Sequence, residues 1–370
     1  MGGKANDIVI MRTCDAIAKL GYPVKMITGK PAKEKSISEY YGIRQVREFE
    51  IIRVPMMRGR PFSWNAVFNL FCLLKILSLK RRGEAGIIYL REIKLARFLL
   101  RFKRILGLPF VIEVHDLKIK AFYDSCPERD KDEEYVFHKV NGIVVLLRTF
   151  GEILKNTYHI SGTPVTKVPL AAERTRFNYK PSGRKIIGYI GQLYPMQGVD
   201  LLVEAMRYLT DARLSIVGGS ERDLRRLKKL SADLRVENRI DFHGFVSPHR
   251  VTEIAKDADV MVISALDRGK RRYAAHTKLY EYMAMGKPIV AVDLPSVREE
   301  MIHGKNALLV KPEDPQELAE KIGIILNDHE KANALALKAY ETAGEFSWEK
   351  RAARLAEFFR KVCADYQGKE

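Results

Sequence analysis

Residues 276–293, HTKLYEYMAMGKPIVAVD, hold the groups best suited to a phosphate and a sugar. Thr277 and Lys278 open a predicted helix, Leu279 completes its first turn, and Glu281 follows one turn in. Gly286-Lys287-Pro288 then ends it before the apolar run Ile289–Val292. The first turn of a helix presents unpaired N–H groups and the positive end of the dipole, so it attracts phosphate. A carboxylate one turn along accepts hydrogen bonds from sugar hydroxyls. The pattern suits a nucleoside diphosphate sugar. A plainer reading is also open: any α/β domain can place a strand after a Gly-Pro helix stop, with Glu281 merely complementing the dipole.

Other stretches offer related groups. Residues 188–202, GYIGQLYPMQGVDLL, run from a strand through Gly191, Gln192 and Gln197 into a helix, so backbone N–H groups can approach phosphate closely. Gly218-Gly219 ends the next predicted strand. His115 and Asp116 follow the apolar run Phe110–Val114, and Arg91 ends Ile87–Leu90. Both places are carboxyl ends of predicted strands, where Arg91 would meet an anionic acceptor or a phosphate. A strand-end His also serves as a structural cap. The chain opens with Gly2, Gly3, Lys4, Ala5 and Asn6 ahead of its first helix.

These groups need a frame. In the second half, strands are predicted at 185–190, 213–217, 240–242, 260–264, 289–292 and 308–310. Helices lie between and after them at 199–209, 222–234, 248–257, from 277, and at 315–326. The first half has a helix over 7–20 and strands at 24–28, 87–90, 110–114, 142–146 and 165–168. Strands joined through helices require crossovers, hence parallel sheets covered on both faces. Residues 171–184, polar and carrying Pro181-Ser182-Gly183, read as a linker. The expected fold is α/β, two doubly wound Rossmann-like domains with a cleft between them, and ligands at the carboxyl ends of the strands. The expected domains are 1–175 and 185–340, followed by one amphipathic helix over 348–366 within 345–370.

At 370 residues the chain is long enough for two full cores, and 46% of it is hydrophobic. Cys14, Cys72, Cys126 and Cys363 form no CxxC pair, which argues against a zinc site or a disulfide framework and fits a reducing cytoplasm. The net charge of +18 is uneven: residues 1–180 hold 33 Lys and Arg against 18 Asp and Glu, and residues 181–370 hold 31 against 28. An anionic partner is therefore expected on the first half, either lipid headgroups or nucleic acid. No nucleic-acid reading module is found, so nucleic acid is the less expected of the two. No segment of 18 residues is free of charge, so no spanning helix is expected. Residues 64–79, interrupted only by Lys75 and followed by Lys80-Arg81-Arg82, read equally as an interfacial helix or a buried one. Residues 1–12 hold only a short IVIM run, unlike the apolar core of a secretory signal.

The 276–293 segment and the GVDLL run after Gly198 resemble the retaining glycosyltransferases of family 4, the group 1 glycosyltransferases, which share the GT-B fold. The resemblance runs almost continuously over 185–328 and is patchy before that. It implies that Glu281 is the second carboxylate of an E-x7-E pair, on the nucleotide ribose; the first position is Tyr273. Family members commonly carry Arg after the first loop glycine and Lys before the second, both on the donor pyrophosphate. Here those positions are Gln192 and Gln197. An amide can hydrogen-bond a phosphate oxygen but brings no charge. Another cation is then expected to compensate, either Lys278 or the cluster Arg268, Lys270, Arg271 and Arg272.

Carried over residue by residue, the resemblance places Gly191, Gln192, Gln197, Gly219, Phe245, Thr277, Lys278, Leu279 and Glu281 on the donor, with the turn around Phe245 at the base. It makes His115 the expected catalytic residue beside the transferred sugar. Gly3, Asn6, Arg91 and Asp116 line the acceptor side, and the strand that usually precedes the Gly3 loop is missing. The final helix is expected to cross back toward the first domain. Retention of configuration is implied, with no metal and no cofactor. The triplets Asp130-Lys131-Asp132 and Asp257-Ala258-Asp259 are not placed to hold a metal diphosphate.

The expected function is transfer of a sugar from a nucleotide-sugar donor to a saccharide or lipid-linked acceptor, such as an envelope polysaccharide. The expected location is cytoplasmic, with the basic first half against an anionic membrane. Three alternatives stay open. One is a catalytically inactive relative serving as a binding partner, suggested by Gln192, Gln197 and Tyr273. The others are a nucleotide-sugar epimerase using Asp116 and a nucleic-acid-binding protein suggested by charge alone.

Overall fold

A computed structural model describes residues 5–29, 47–55, 64–117, 130–246, 248–268 and 272–368. The chain divides into two compact units: residues 1–171 together with 348–370, and residues 172–347.

The first unit contains β1 (Val24–Gly29), β2 (Phe49–Val54), β3 (Ile88–Leu90), β4 (Phe110–Val114), β5 (Gly142–Val145) and β6 (Val165–Lys167). β1 and β2 pair in parallel with Met26 opposite Ile51, while β3-β4-β5-β6 form a separate parallel sheet. Among the described residues no strand joins β1 to β3. β2 is a strand that hydrophobicity alone does not announce. Its sequence FEIIRV mixes Glu50 and Arg53, both exposed, with Phe49, Ile52 and Val54, which are buried. The helix Ala5–Lys19 covers one face of this pair, with Met11 and Ala18 against Met26 and Phe49. Cys72 and Leu79 of the helix Trp64–Arg81 pack on Ile52 and Val54, which alternate to the other face.

The last helix, Trp348–Gln367, belongs to this unit. It lies so close to the start of β5 that a Cβ on Gly142 would sit 2.8 Å from a Val362 methyl. Only glycine allows that approach without a shift.

The second unit holds β7 (Ile186–Ile190), β8 (Arg213–Val217), β9 (Ile240–Gly244), β10 (Val260–Ile263), β11 (Ile289–Val292) and β12 (Leu308–Val310). All are parallel, in the order β12-β11-β10-β7-β8-β9. Chain order reverses between β7 and β10, and that switch point is where doubly wound sheets gather ligands at their carboxyl ends. Ile187, Tyr189, Leu214, Val260 and Val290 lie in one buried cluster with Leu202 and Val203 of the helix Val199–Ala205 and Ile322 of the helix Pro315–Asn327.

Two further details add to the sequence reading. The helix from Val199 stops at Ala205 instead of running to 209, because Arg207 and Tyr208 turn back onto the carbonyls of Glu204 and Ala205 three residues earlier. The expected linker is also anchored. The Asp259 carboxylate accepts from the Ser182 amide at 2.5 Å, the Ser182 hydroxyl at 2.7 Å and the Ile186 amide at 2.8 Å.

Candidate donor site and a buried strand-end network

The carboxyl ends of β7, β8 and β9 are held in series by glycines. The Gly191 amide donates to the Val217 carbonyl at 2.9 Å, and the Gly218 amide donates to the Gly244 carbonyl at 2.7 Å. Gly218 has φ +105°, and a Cβ there would lie 2.3 Å from the Gly191 carbonyl oxygen. Gly198 has φ +66° and faces the Ser264 carbonyl, 1.7 Å from where its Cβ would be. Backbone approaches this close need glycine for space as well as for conformation. They bring the turns after β7, β8 and β10 together at the switch point.

The helix Thr277–Ala284 rises from the loop after β10, and His276 makes no side-chain cap to it. Buried Tyr282 ties this helix to β7: its hydroxyl accepts from the Ile190 amide at 2.9 Å and donates to the Ile190 carbonyl at 3.2 Å. One turn earlier, the Lys278 ammonium donates to the Tyr189 hydroxyl at 2.7 Å and to the Gln197 side-chain oxygen at 3.1 Å. A Cβ on Gly191 would lie 3.2 Å from that same nitrogen. Lys278 therefore brings its charge to the glycine loop, beside Gly191 and Gln197. Gln197 is buried, and its amide nitrogen donates to the Tyr194 hydroxyl at 2.7 Å; Gln192 is exposed, and its carbonyl accepts from Tyr189 at 2.8 Å.

The other expected donor residues fall in different settings. Glu281 is exposed and Thr277 half-buried on the same helix. Leu279 is buried, and its amide donates to the His276 carbonyl at 2.9 Å. A Cβ on Gly219 would meet the Leu193 side chain at 2.4 Å. Phe245 follows the Gly244 turn with 79% of its surface exposed. In the basic loop Arg268 is bound by Glu313, its Nε donating at 2.9 Å, and Arg272 lies 3.6 Å from Asp267; Lys270 and Arg271 lie outside the described residues. Carboxylates thus already answer two of the four loop charges.

In the first unit, Arg91 and His115 meet at the ends of β3 and β4. Arg91 Nη2 is 2.7 Å from His115 Nδ1, and His115 Nε2 contacts the Glu113 carboxylate. Arginine can only donate, so Nδ1 accepts and the ring proton resides on Nε2, facing Glu113. Both ring nitrogens are engaged inside the unit. Glu113 also accepts from Arg351 at 2.7 Å, and Arg351 donates further to Thr13 Oγ1 at 3.1 Å and to the Val168 and Pro169 carbonyls at 2.9 and 2.6 Å. Burial disfavours a charged His115, and with Arg91 and Arg351 adding to it the ring is held below the usual imidazole pKa despite Glu113. Burial alone would raise Glu113, but the facing Arg351 and then His115 outweigh it and hold the carboxyl below its usual range. Asp116 is exposed beside this network. Gly3 lies outside the described residues; Asn6 is in the first helix, with its side chain outside them.

Both Asp-x-Asp triplets have structural partners. Asp130 caps the helix Lys131–Lys139 by accepting from the amides of Asp132 and Glu133, and Asp132 pairs with Arg97. Asp259 anchors the linker as described, and Asp257 lies 3.3 Å from Arg184. His243 receives or donates a 2.9 Å bond with Ser215 across β8 and β9, a structural role.

Three residues that sequence reading passed over hold the site in place. Arg226 donates to the Leu193 carbonyl at 2.6 Å and pairs with Asp200, fixing the glycine loop. Lys287 donates to the carbonyls of Lys256 and Ala258 at 2.6 and 2.7 Å, and burial brings its ammonium down to about 8. Arg351 is the third. In sequence each looks like one more surface cation of a basic chain, and no local pattern separates it from the rest.

Residues 172–342 match the family model for glycosyl transferases group 1. A D-inositol 3-phosphate glycosyltransferase of Corynebacterium urealyticum is 28% identical over 216 residues, covering 54% of this chain and 50% of its own. A GDP-mannose-dependent alpha-(1-6)-phosphatidylinositol monomannoside mannosyltransferase of Mycobacterium tuberculosis is 28% identical over 199 residues, covering 52% of this chain and 51% of its own. The chain spans about half the length of these curated relatives. Among solved structures, sucrose-phosphate synthase from Thermosynechococcus elongatus superposes with a TM-score of 0.78 at 19% identity, over 98% of this chain and 94% of that one. Anabaena HepE in complex with UDP gives 0.72 at 17% identity, over 95% and 96%. At these identities the structural likeness speaks for the fold alone.

Proposed function

We propose that this chain, which belongs to the group 1 glycosyltransferases and has the GT-B fold, moves a sugar from a nucleoside diphosphate donor to a saccharide or lipid-linked acceptor. The observation that carries this reading is Lys278, whose ammonium bridges Tyr189 and Gln197 against the Gly191 turn. There it replaces the charge that Gln192 and Gln197 do not bring to a pyrophosphate. As the glycosidic bond breaks, negative charge collects on the leaving diphosphate. Lys278 and the first-turn amides of its helix would oppose that charge, while Glu281 accepts from the ribose hydroxyls. Exposed Phe245 offers a face for the base to stack on.

Retention without metal follows if the acceptor attacks from the face the diphosphate leaves and passes its proton to the departing phosphate oxygen. Positioning and electrostatics then supply the rate. Solved HepE complexes hold UDP or UDP-glucose and the mannosyltransferase relative is named GDP-mannose-dependent, so both bases belong in the binding test. The inositol phosphate and phosphatidylinositol mannoside in the relatives' names favour a phosphate-bearing acceptor. The basic first half would hold that acceptor at the inner face of an anionic membrane. No described helix is long and apolar enough to cross one.

A thermal-shift series with UDP, GDP, ADP and their sugar conjugates tests the donor site, because a ligand of the native state stabilises it by mass action. The expected result is a shift with one nucleotide, lost in both Lys278→Met and Glu281→Ala. No shift with any of them would sink it. A second reading, an inactive relative acting as a binding partner, draws on His115, whose two ring nitrogens are engaged by Arg91 and Glu113. A nucleotide shift with neither sugar transfer nor donor hydrolysis would favour that reading.

A further inference from the structure

The helix Trp64–Arg81 carries an apolar face that the core does not use. Cys72, Leu73, Ile76 and Leu79 are buried, whereas Leu70, Phe71 and Leu74 are 49%, 37% and 52% exposed. Positions 70 and 74 lie four residues apart on one stripe, with 71 beside them, and exposed Arg81 continues the same line two turns on. At the basic end Lys80 donates to the Ile105 carbonyl at 3.2 Å, and Ile105 itself is 63% exposed on the adjoining helix Lys103–Leu106. Large aliphatic and aromatic side chains standing together at a surface usually mark a binding face.

The charge around this face selects the partner. Residues 64–83 and 93–107 together contain nine Lys and Arg and no Asp or Glu. Arg81, Arg82, Arg101 and Arg104 are exposed. A second copy of the chain would bring like charge against like charge. A nucleic acid would neutralise the cations but leave the leucines and Phe71 without an apolar partner. An anionic bilayer satisfies both, and an interfacial helix combines an apolar face with flanking basic residues in this way. No described helix is long and apolar enough to cross, so this helix would lie along the surface.

We propose that this face seats the protein on an anionic bilayer. Leu70, Phe71 and Leu74 enter the boundary between headgroups and acyl chains, while Arg81, Arg82, Arg101 and Arg104 meet headgroup phosphates. The proposal rests on the membrane part of the function proposed above and names its surface; it is independent of the donor site.

The test is co-sedimentation of the full chain with phosphatidylglycerol-containing vesicles and with pure phosphatidylcholine vesicles, at low and high salt. The wild type is expected on the anionic vesicles at low salt. Leu70→Ser with Leu74→Ser should weaken binding at least about tenfold, and Arg81→Glu with Arg82→Glu more than about twentyfold. Neither pair should change the melting temperature or the nucleotide-induced shift. Undiminished binding by both pairs overturns the proposal while leaving a membrane-bound protein. Equal binding to uncharged vesicles also overturns it, as does a wild-type dimer that Leu70→Ser with Leu74→Ser makes monomeric. Wild type that binds no vesicle removes this surface and the membrane part together, and the nucleotide shift is read separately.

Discussion

The Lys278 ammonium donates to the side-chain oxygen of Gln197 at 3.1 Å, so a cation from one helix meets an amide where a cation from the glycine loop would be expected. In the proposed donor site the charge would then come from this helix instead of the glycine loop. A neutral partner at 197 suits this arrangement, because a second ammonium so close would repel the first.

Lys278→Met is therefore expected to weaken nucleotide-sugar binding and turnover together. Loss of one charge-assisted hydrogen bond amounts to about 1.5–3 kcal/mol, or roughly 10- to 150-fold in kcat/KM. Steady-state kinetics or donor hydrolysis would measure it. With Lys278 intact, Gln197→Lys should lower Tm, because it sets a second ammonium beside the first.

Gly198→Ala is expected to disrupt the site by sterics, since its Cβ would lie 1.7 Å from the Ser264 carbonyl oxygen at φ +66°. Gly183→Ala is the control. Its φ is +73°, but nothing lies within 4 Å of the added methyl, so only the backbone cost of about 1–2 kcal/mol remains. Urea denaturation of the two variants should separate space from conformation.

Phe245→Ala should barely change stability, because the ring is 79% exposed, yet it should reduce nucleotide affinity if the ring stacks on the base. Stacking of this kind contributes about 1–3 kcal/mol. Calorimetric titration with the nucleotide identified by thermal shift would show it.

Arg351→Met should destabilise the first unit by about 3–5 kcal/mol, because it removes the nearer cation from buried Glu113 and leaves only Arg91, whose Nε is 3.9 Å away. Adding Glu113→Gln should recover part of that loss. Failure to recover would mean that the bonds from Arg351 to Thr13, Val168 and Pro169 matter more than the ion pair.

Lys287 predicts a pH dependence. Its folded pKa is lowered from 10.5 to about 8 by burial, so between those values the unfolded chain binds more protons and stability rises with pH. Below pH 8 both states are protonated and the full penalty is present. Relative to Lys287→Met, the wild type should gain up to roughly 3 kcal/mol from pH 8 to 10.5. A flat difference across that window would show that the ammonium is not desolvated as its position implies.

Sequence alone carried the repeating apolar runs, and with them the parallel strands and most of the helices, because burial on both faces of a parallel sheet writes itself into consecutive residues. It also carried the glycine loop and the Thr277 helix, since close backbone approach restricts a position to one residue type. It did not carry β2, whose exposed Glu50 and Arg53 hide its buried alternation. Nor could it show that Lys278 reaches Gln197, that His115 is bound through both nitrogens, or that Arg351 reaches a glutamate 238 positions away. Those outcomes depend on which distant side chains meet. A lysine's reach, an arginine's partner and a histidine's tautomer are set by neighbours that only the folded chain supplies.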